Sequence, residues 1–268
     1  MGLMDRLRTI VGPVPAREDA TAGESAAPAA PAAPPGERIY AIGDIHGRAD
    51  LLDRLHDRIL EDRASADPDT RCVAVYLGDY IDRGPDSRGV IDRLLDTPLP
   101  DFETIHLCGN HDDFLLRFLE DPSIAPLWLA NGGDATLASY GVEATPPFES
   151  GDLSILRDEF LAHLPDDHRR FFRNLAYSHT AGDYFFAHAG ARPHVRLDVQ
   201  DPYDLMWIRE EFLNSRTDFG KVIVHGHTPV EAVEERANRI SIDTGAVFTG
   251  RLTCVVLEGT ERHFLVTA

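Results

Sequence analysis

Gly43-Asp44-Ile45-His46-Gly47 and Gly78-Asp79-Tyr80-Ile81-Asp82-Arg83-Gly84 decide how this chain is read. Each follows a short β-rich run, residues 38–42 and 72–77, and each precedes a stretch with helical spacing, residues 49–63 and 87–96. The same grammar returns at residues 102–107, which deliver Gly109-Asn110-His111-Asp112 and lead into a helix through Leu115, Leu116 and Leu119. Strand, glycine, ligand-capable polar residue, helix: this order predicts an α/β sheet whose loops converge at the carboxyl ends of its strands, where such sheets build their sites. Residues 123–173 read as mostly helical, with turn signals at Asn131-Gly132-Gly133 and Thr145-Pro146-Pro147. Beyond them, 174–178 and 184–188 flank Gly182-Asp183 and read as a hairpin. A helix around 201–213 and strands at 221–224, 239–242, 252–257 and 263–266 complete the reading. The expected fold class is α/β, with two mixed sheets and helices over their outer faces.

Two further strings share the pattern, His188-Ala189-Gly190 and His225-Gly226-His227-Thr228. A single Gly-Asp after a strand is ordinarily a turn closed by an Asx hydrogen bond, and a lone strand-end His is ordinarily a hydrogen-bonded core residue. Here such strings recur in order, each at a strand end, with glycine beside the polar residue to allow close backbone approach. Imidazole combined with carboxylate and amide oxygen suits Mn, Fe or Zn. Asp44 and His46 can present two ligands to one ion, and Asp79, between the clusters, is the natural bridge to a second.

The 268 residues hold 26 basic and 45 acidic side chains, a net charge of −19, which excludes a partner gripped by its phosphate backbone and a charge-driven membrane binder. An anionic substrate must be drawn by a local positive centre. Cys72, Cys108 and Cys254 are scattered in apolar runs without a CxxC pair, which predicts buried reduced thiols and a cytoplasmic location. No apolar run is long enough for a membrane span. Residues 1–36 are expected to be a flexible Ala/Pro-rich segment whose first residues, with Leu3, Leu7, Ile10 and Val11, could form a short amphipathic helix. Residues 37–268 are expected to form one catalytic domain.

The ordered set of motifs resembles the phosphoprotein phosphatase family of calcineurin-like metallophosphoesterases, especially its bacterial and bacteriophage serine/threonine phosphatase members. The likeness runs from about Arg38 to the last strand. It implies a four-layer α/β/β/α sandwich with a dinuclear centre of two divalent ions, Mn²⁺ foremost, with Fe or Zn as alternatives. It also implies a role for each matching residue. Asp44 and His46 would hold the first ion, Asp79 would bridge, and Asn110, His188 and His227 would complete the second. His111 would be the general acid and Asp82 its orienting partner. Arg83 and Arg209 would hold the phosphate, with Asn110 beside them. The implied activity is hydrolysis of phosphoserine or phosphothreonine, with phosphotyrosine open, by direct in-line attack of a water bridging the ions. The expected partner is a phosphorylated protein or small phosphoester, not nucleic acid; oligomeric state is not readable.

Two positions depart from the family pattern and one residue is missing. Asp112 stands where many protein phosphatases have Glu, and His225 where eukaryotic members carry Arg. Pro229 follows Gly226-His227-Thr228, whereas the broader metallophosphoesterases carry a second His there to complete the first metal. That loss, together with Asp82-Arg83, favours the protein phosphatase branch. The nearest enzymatic rival is a dinucleoside tetraphosphate hydrolase of the same family, in which Asp-x-His reads Asp-x-Gln. A scaffold with a decayed site is the rival of another class, but no ligand of the protein phosphatase pattern is missing, nor is its acid. Asn131-Gly132-Gly133 and Ser139-Tyr140-Gly141 are candidates for the loops that choose the substrate.

Overall fold

The computed structural model describes residues 30–96, 99–144 and 152–267. The N-terminal amphipathic stretch and the Thr145-Pro146-Pro147 turn lie outside them. Strands β1 (Glu37–Ile42), β2 (Arg71–Tyr76) and β3 (Phe102–His106) run parallel, as expected for strands separated by the crossover helices α1 (Ala49–Ala64) and α2 (Ser87–Leu95). Strands β9 (Thr253–Glu258) and β10 (Glu261–Val266) add to the other edge, giving the order β10-β9-β1-β2-β3. The second sheet uses β4 (Ser178–Ala181), β5 (Tyr184–Ala187), β6 (Val222–His225), β7 (Glu234–Arg236) and β8 (Arg239–Ser241), in the order β4-β5-β6-β8-β7. Both sheets are mixed, as expected.

Strand alternation builds the layers. On β1, Tyr40 and Ile42 face the helices, while Ile39 and Ala41 face the second sheet; β2 divides the same way, with Ala74 and Tyr76 against Val73 and Val75. The inter-sheet core is completed by Tyr184, Phe186, Val222, Val224 and Ile240. The alternate residues Phe185, Ala187 and Ile223 turn to the far side and meet Leu205, Ile208 and Phe212. Three cores separated by two sheets make the chain an α/β/β/α sandwich.

Local differences from the sequence expectation have local causes. The first hairpin strand is Ser178–Ala181, not 174–178, because the two-residue Gly182-Asp183 turn pairs Ala181 with Tyr184. Residues 174–177 contribute only a bridge from Ala176 to Leu107. The helix expected at 201–213 is two short ones, Pro202–Trp207 and Glu210–Leu213, broken where Arg209 takes φ −130° and ψ −100°. The polar edge strand β7 had no apolar alternation to reveal it. Upstream of Glu37, Ala33 is buried, donates to the Gly259 carbonyl, and precedes the turn that pins Glu37 to Pro34. Among the described residues no helix is long and apolar enough to cross a membrane.

Two histidines are built into the helix-facing core. His56 Nε2 pairs with the Tyr76 hydroxyl at 2.9 Å, and His106 stacks on the Tyr76 ring at 4.9 Å. Burial pushes both imidazoles down to about 4 from 6.5. Below pH 6.5 the unfolded chain takes up protons that the folded chain refuses, so their contribution to stability is complete above 6.5 and lost as pH falls to about 4. Denaturant midpoints should fall steadily between those limits, and His106→Phe, which keeps the stack, should flatten the slope. An unaltered slope in the variant would exclude His106 as a source of the acid sensitivity.

Candidate metal centre

The parallel strands point their carboxyl ends to one rim. Asp44 follows β1, Asp79 follows β2, His188 follows β5, and His227 follows β6. Asn110 and His111 follow β3 as the first turn of α3 (Asn110–Glu120), where the sequence suggested a loop. Asp44, His46, Asp79, Asp82, Asn110, His111, His188 and His227 are all buried.

Asp79 is the meeting point. Its carboxylate lies 3.4 Å from His46 Nε2 through Oδ2 and 3.4 Å from His188 Nε2 through Oδ1. Two compact groups of ligand atoms share it, one with His46 and His111, the other with His188 and His227. The imidazoles are aimed by backbone: Nδ1 of His46 donates to the Ile81 carbonyl at 2.8 Å, and Nδ1 of His188 to that of Leu77 at 3.0 Å. Each Nε2 therefore presents a lone pair inward. His188 Nε2 then faces Asn110 Oδ1 at 3.0 Å and Asp79 Oδ1 at 3.4 Å, three lone-pair donors with no proton to share. Burial pushes His46 down to about 3 and His227 to about 2, and lowers His188, so these imidazoles are neutral. Burial by itself would raise the Asp79 carboxyl, but the surrounding His188, His111, His46 and His227 hold it well below the usual carboxylate range. Neutral imidazoles around an ionised carboxylate are the form that binds a divalent cation, and the mixed N/O set fits Mn, Fe or Zn. Asp44 Oδ1 adds an acceptor with no hydrogen-bond partner among the described residues.

His111 is held differently. Its Nδ1 pairs with Asp82 Oδ2 at 2.7 Å, leaving Nε2 toward the site. Asp82 is fully buried and also accepts from Trp128 Nε1 at 2.9 Å and Thr136 Oγ1 at 2.6 Å. Burial raises its carboxyl, while the bonds from His111, Thr136 and Trp128 oppose that rise. Trp128 and Thr136 escaped the sequence reading, since nothing local marks a core Trp and Thr as partners of a carboxylate far upstream. Asp112 accepts from the backbone N–H groups of Asp79, Tyr80 and Gly109, tying the β2 loop to the start of α3. Asp243, just beyond β8, lies against Asp44 and was missed because it ends a run without the Gly-first signature.

The two arginines stand at the exposed mouth. Arg83 donates to His46 Nε2 at 2.7 Å, and Arg209 to the Thr228 hydroxyl at 3.3 Å. Asn131-Gly132-Gly133, expected as a turn, closes a wide helical turn, Leu129–Gly133, kinked at Gly132, and supports the first: the Gly132 carbonyl accepts the Arg83 N–H at 3.0 Å. Gly132 has φ +102°, and a Cβ there would lie 2.7 Å from Arg83 Cγ. Gly132→Ala should displace Arg83 and raise KM for a phosphoester about tenfold, roughly 1.4 kcal/mol, with bound metal unchanged. Steady-state kinetics beside metal analysis reads both, and an unaltered KM would count against the Gly132 kink as a support for substrate binding.

Comparison with known proteins agrees with this geometry. Residues 37–250 match the family model described as calcineurin-like phosphoesterase. A protein of Salmonella typhimurium named serine/threonine-protein phosphatase 1 is 31% identical over 222 residues, covering 80% of this chain and 89% of its own. The bis(5′-nucleosyl)-tetraphosphatase PrpE of Bacillus thuringiensis is 28% identical, covering 80% and 88%. Among solved structures, one described provisionally as a diadenosine tetraphosphatase superposes with a TM-score of 0.58 at 22% identity, covering 89% of this chain and 98% of its own. Family match, relatives and shared fold agree: the chain is a phosphoesterase belonging to the calcineurin-like family.

Proposed function

We propose that this chain is a metal-dependent phosphomonoesterase that dephosphorylates phosphoserine and phosphothreonine in proteins, with phosphotyrosine as a further substrate. The observation that carries the reading is the buried His111–Asp82 pair at 2.7 Å beside the Asp79-centred cluster. A serine alkoxide is a poor leaving group and needs a proton as it departs. In this reading Asp44 and His46 hold one divalent ion, Asn110, His188 and His227 the other, and Asp79 both. Mn²⁺ is the proposed metal, on the mixed N/O ligand set. Two bound divalent ions supply a water of lowered pKa and offset charge on the phosphate oxygens.

The chain's own groups do the rest. Arg83 and Arg209 grip the phosphate oxygens as bidentate forks and orient it, with the Asn110 amide beside them. His111 Nε2 carries the proton to the leaving oxygen. Asp82 keeps Nδ1 protonated and the ring aligned, and Thr136 and Trp128 fix Asp82 in turn. The three buried thiols are compatible with a cytoplasmic protein. Residues 37–268 are proposed as the catalytic domain and 1–36 as a tether, of which Ala33 is anchored in the core.

A second reading, hydrolysis of dinucleoside tetraphosphates, is favoured by the PrpE relatives. Against it stand His46 and the intact Asp82-Arg83-Gly84. Mn²⁺-dependent phosphate release, run in parallel on phosphoserine, phosphothreonine and phosphotyrosine peptides and on diadenosine tetraphosphate, separates the two. Peptide turnover that Asp79→Asn abolishes is expected; turnover of the dinucleotide alone would overturn the substrate. His111→Gln should lower kcat on a phosphoserine peptide about 10²–10⁴-fold and hurt an aryl phosphate far less, because a phenolate leaves without a proton. Equal losses on both substrates would refute the role of His111 as acid.

A further inference from the structure

Asp243 sits in the metal centre, yet no motif marks it. It is 4% exposed and lies just past the carboxyl end of β8, whose neighbour β6 carries the loop to His227. Its carboxyl is within hydrogen-bond reach of Asp44 and close enough to Asp79 and Arg83 to feel their charges. Its Oδ1 accepts from the Gly245 N–H at 2.9 Å. Asp44 is 2% exposed; its Oδ2 accepts from the His227 N–H at 3.0 Å, and its Oδ1 has no partner among the described residues. That oxygen lies against Gly226, where a Cβ would come within 2.0 Å of it. Two carboxylates in contact, buried and short of donors, repel each other unless a proton or a cation lies between them.

The residues after His227 explain why a carboxylate is needed here. Pro229 stands where a second histidine would serve the first ion, and proline has no side-chain donor. The Val230 N–H donates to the Asp243 carbonyl at 2.9 Å, so the turn after Pro229 is pinned to Asp243 itself. The strand end beside the one that carries His227 therefore delivers a carboxylate to the same corner.

We infer that Asp243 belongs to the first metal site, where its charge, together with Asp44, His46 and Asp79, holds the ion that the missing histidine would otherwise help to bind. This rests on the dinuclear reading above. Asp243→Asn keeps the shape and the acceptor for Gly245 while removing the charge, and Asp243→Ser keeps the acceptor with less bulk.

Calorimetric titration of the chelator-stripped full chain with MnCl₂ is the test. The wild-type chain should bind two ions. Each variant should bind one of them about 10–100-fold more weakly, leaving the other unchanged, and should show a smaller Mn²⁺-induced rise in Tm. With chelator present, Asp243→Asn should melt no lower than the wild type, because a buried like-charge contact has been relieved. Two sites of undiminished affinity in both variants would overturn the assignment of Asp243 while leaving the dinuclear centre standing. A wild-type chain that fails to bind two ions would overturn both. Equal weakening of both sites would also overturn it, because Asp243 would then be a general support of the rim.

Discussion

A carboxylate buried between histidines organises this molecule. Asp79 is 2% exposed and meets His46 and His188 at 3.4 Å on opposite oxygens. A charge so placed must be compensated in place, because taking an ion out of water costs several kcal/mol or more. The surrounding structure supplies that compensation. The His111 amide donates to Asp79 Oδ1 at 3.0 Å, and Asp112 accepts the Asp79 N–H at 2.8 Å, so the residue is gripped at both backbone and side chain. The lone pairs that remain are what a pair of divalent ions would satisfy.

Bringing so many side chains to one rim strains the backbone. His46, Asp79, Asp82, Arg83 and His227 all have φ between 47° and 72°, in the left-handed region that non-glycine residues seldom adopt. Such conformations persist where surrounding hydrogen bonds over-determine them. Here the His46 N–H donates to the Asp79 carbonyl at 2.9 Å and the Arg83 N–H to that of Gly132 at 3.0 Å, so each strained loop leans on another. The two sheets provide the stiffness against which this strain is held, since Val73, Val75, Val224 and Ile240 interlock between them.

Much of the fold was legible because β1 and β2 carry apolar runs and the helices between the parallel strands carry the 3.6-residue period. Residues 38–42, 72–77 and 102–107 all became strands within a residue of their expected ends. The candidate site residues stood out for a related reason: strings that pair glycine with a ligand-capable polar residue recur in order at successive strand ends. Where polarity and pattern were both bland the reading failed, as at β7 and at the hairpin strand Ser178–Ala181. The break at Arg209 also escaped it, because no proline or glycine stands at the break itself.

The sequence by itself determined most of the strand-and-helix order and singled out most of the candidate site residues, because both are written in short local patterns of burial and polarity. Tertiary structure alone decided which atoms meet. That Trp128 and Thr136 hold Asp82, that Gly132 props Arg83, and that Asp243 lies against Asp44 are contacts between distant segments. No local periodicity encodes them. They arise only when two sheets pack face to face and bring their strand ends to a common rim.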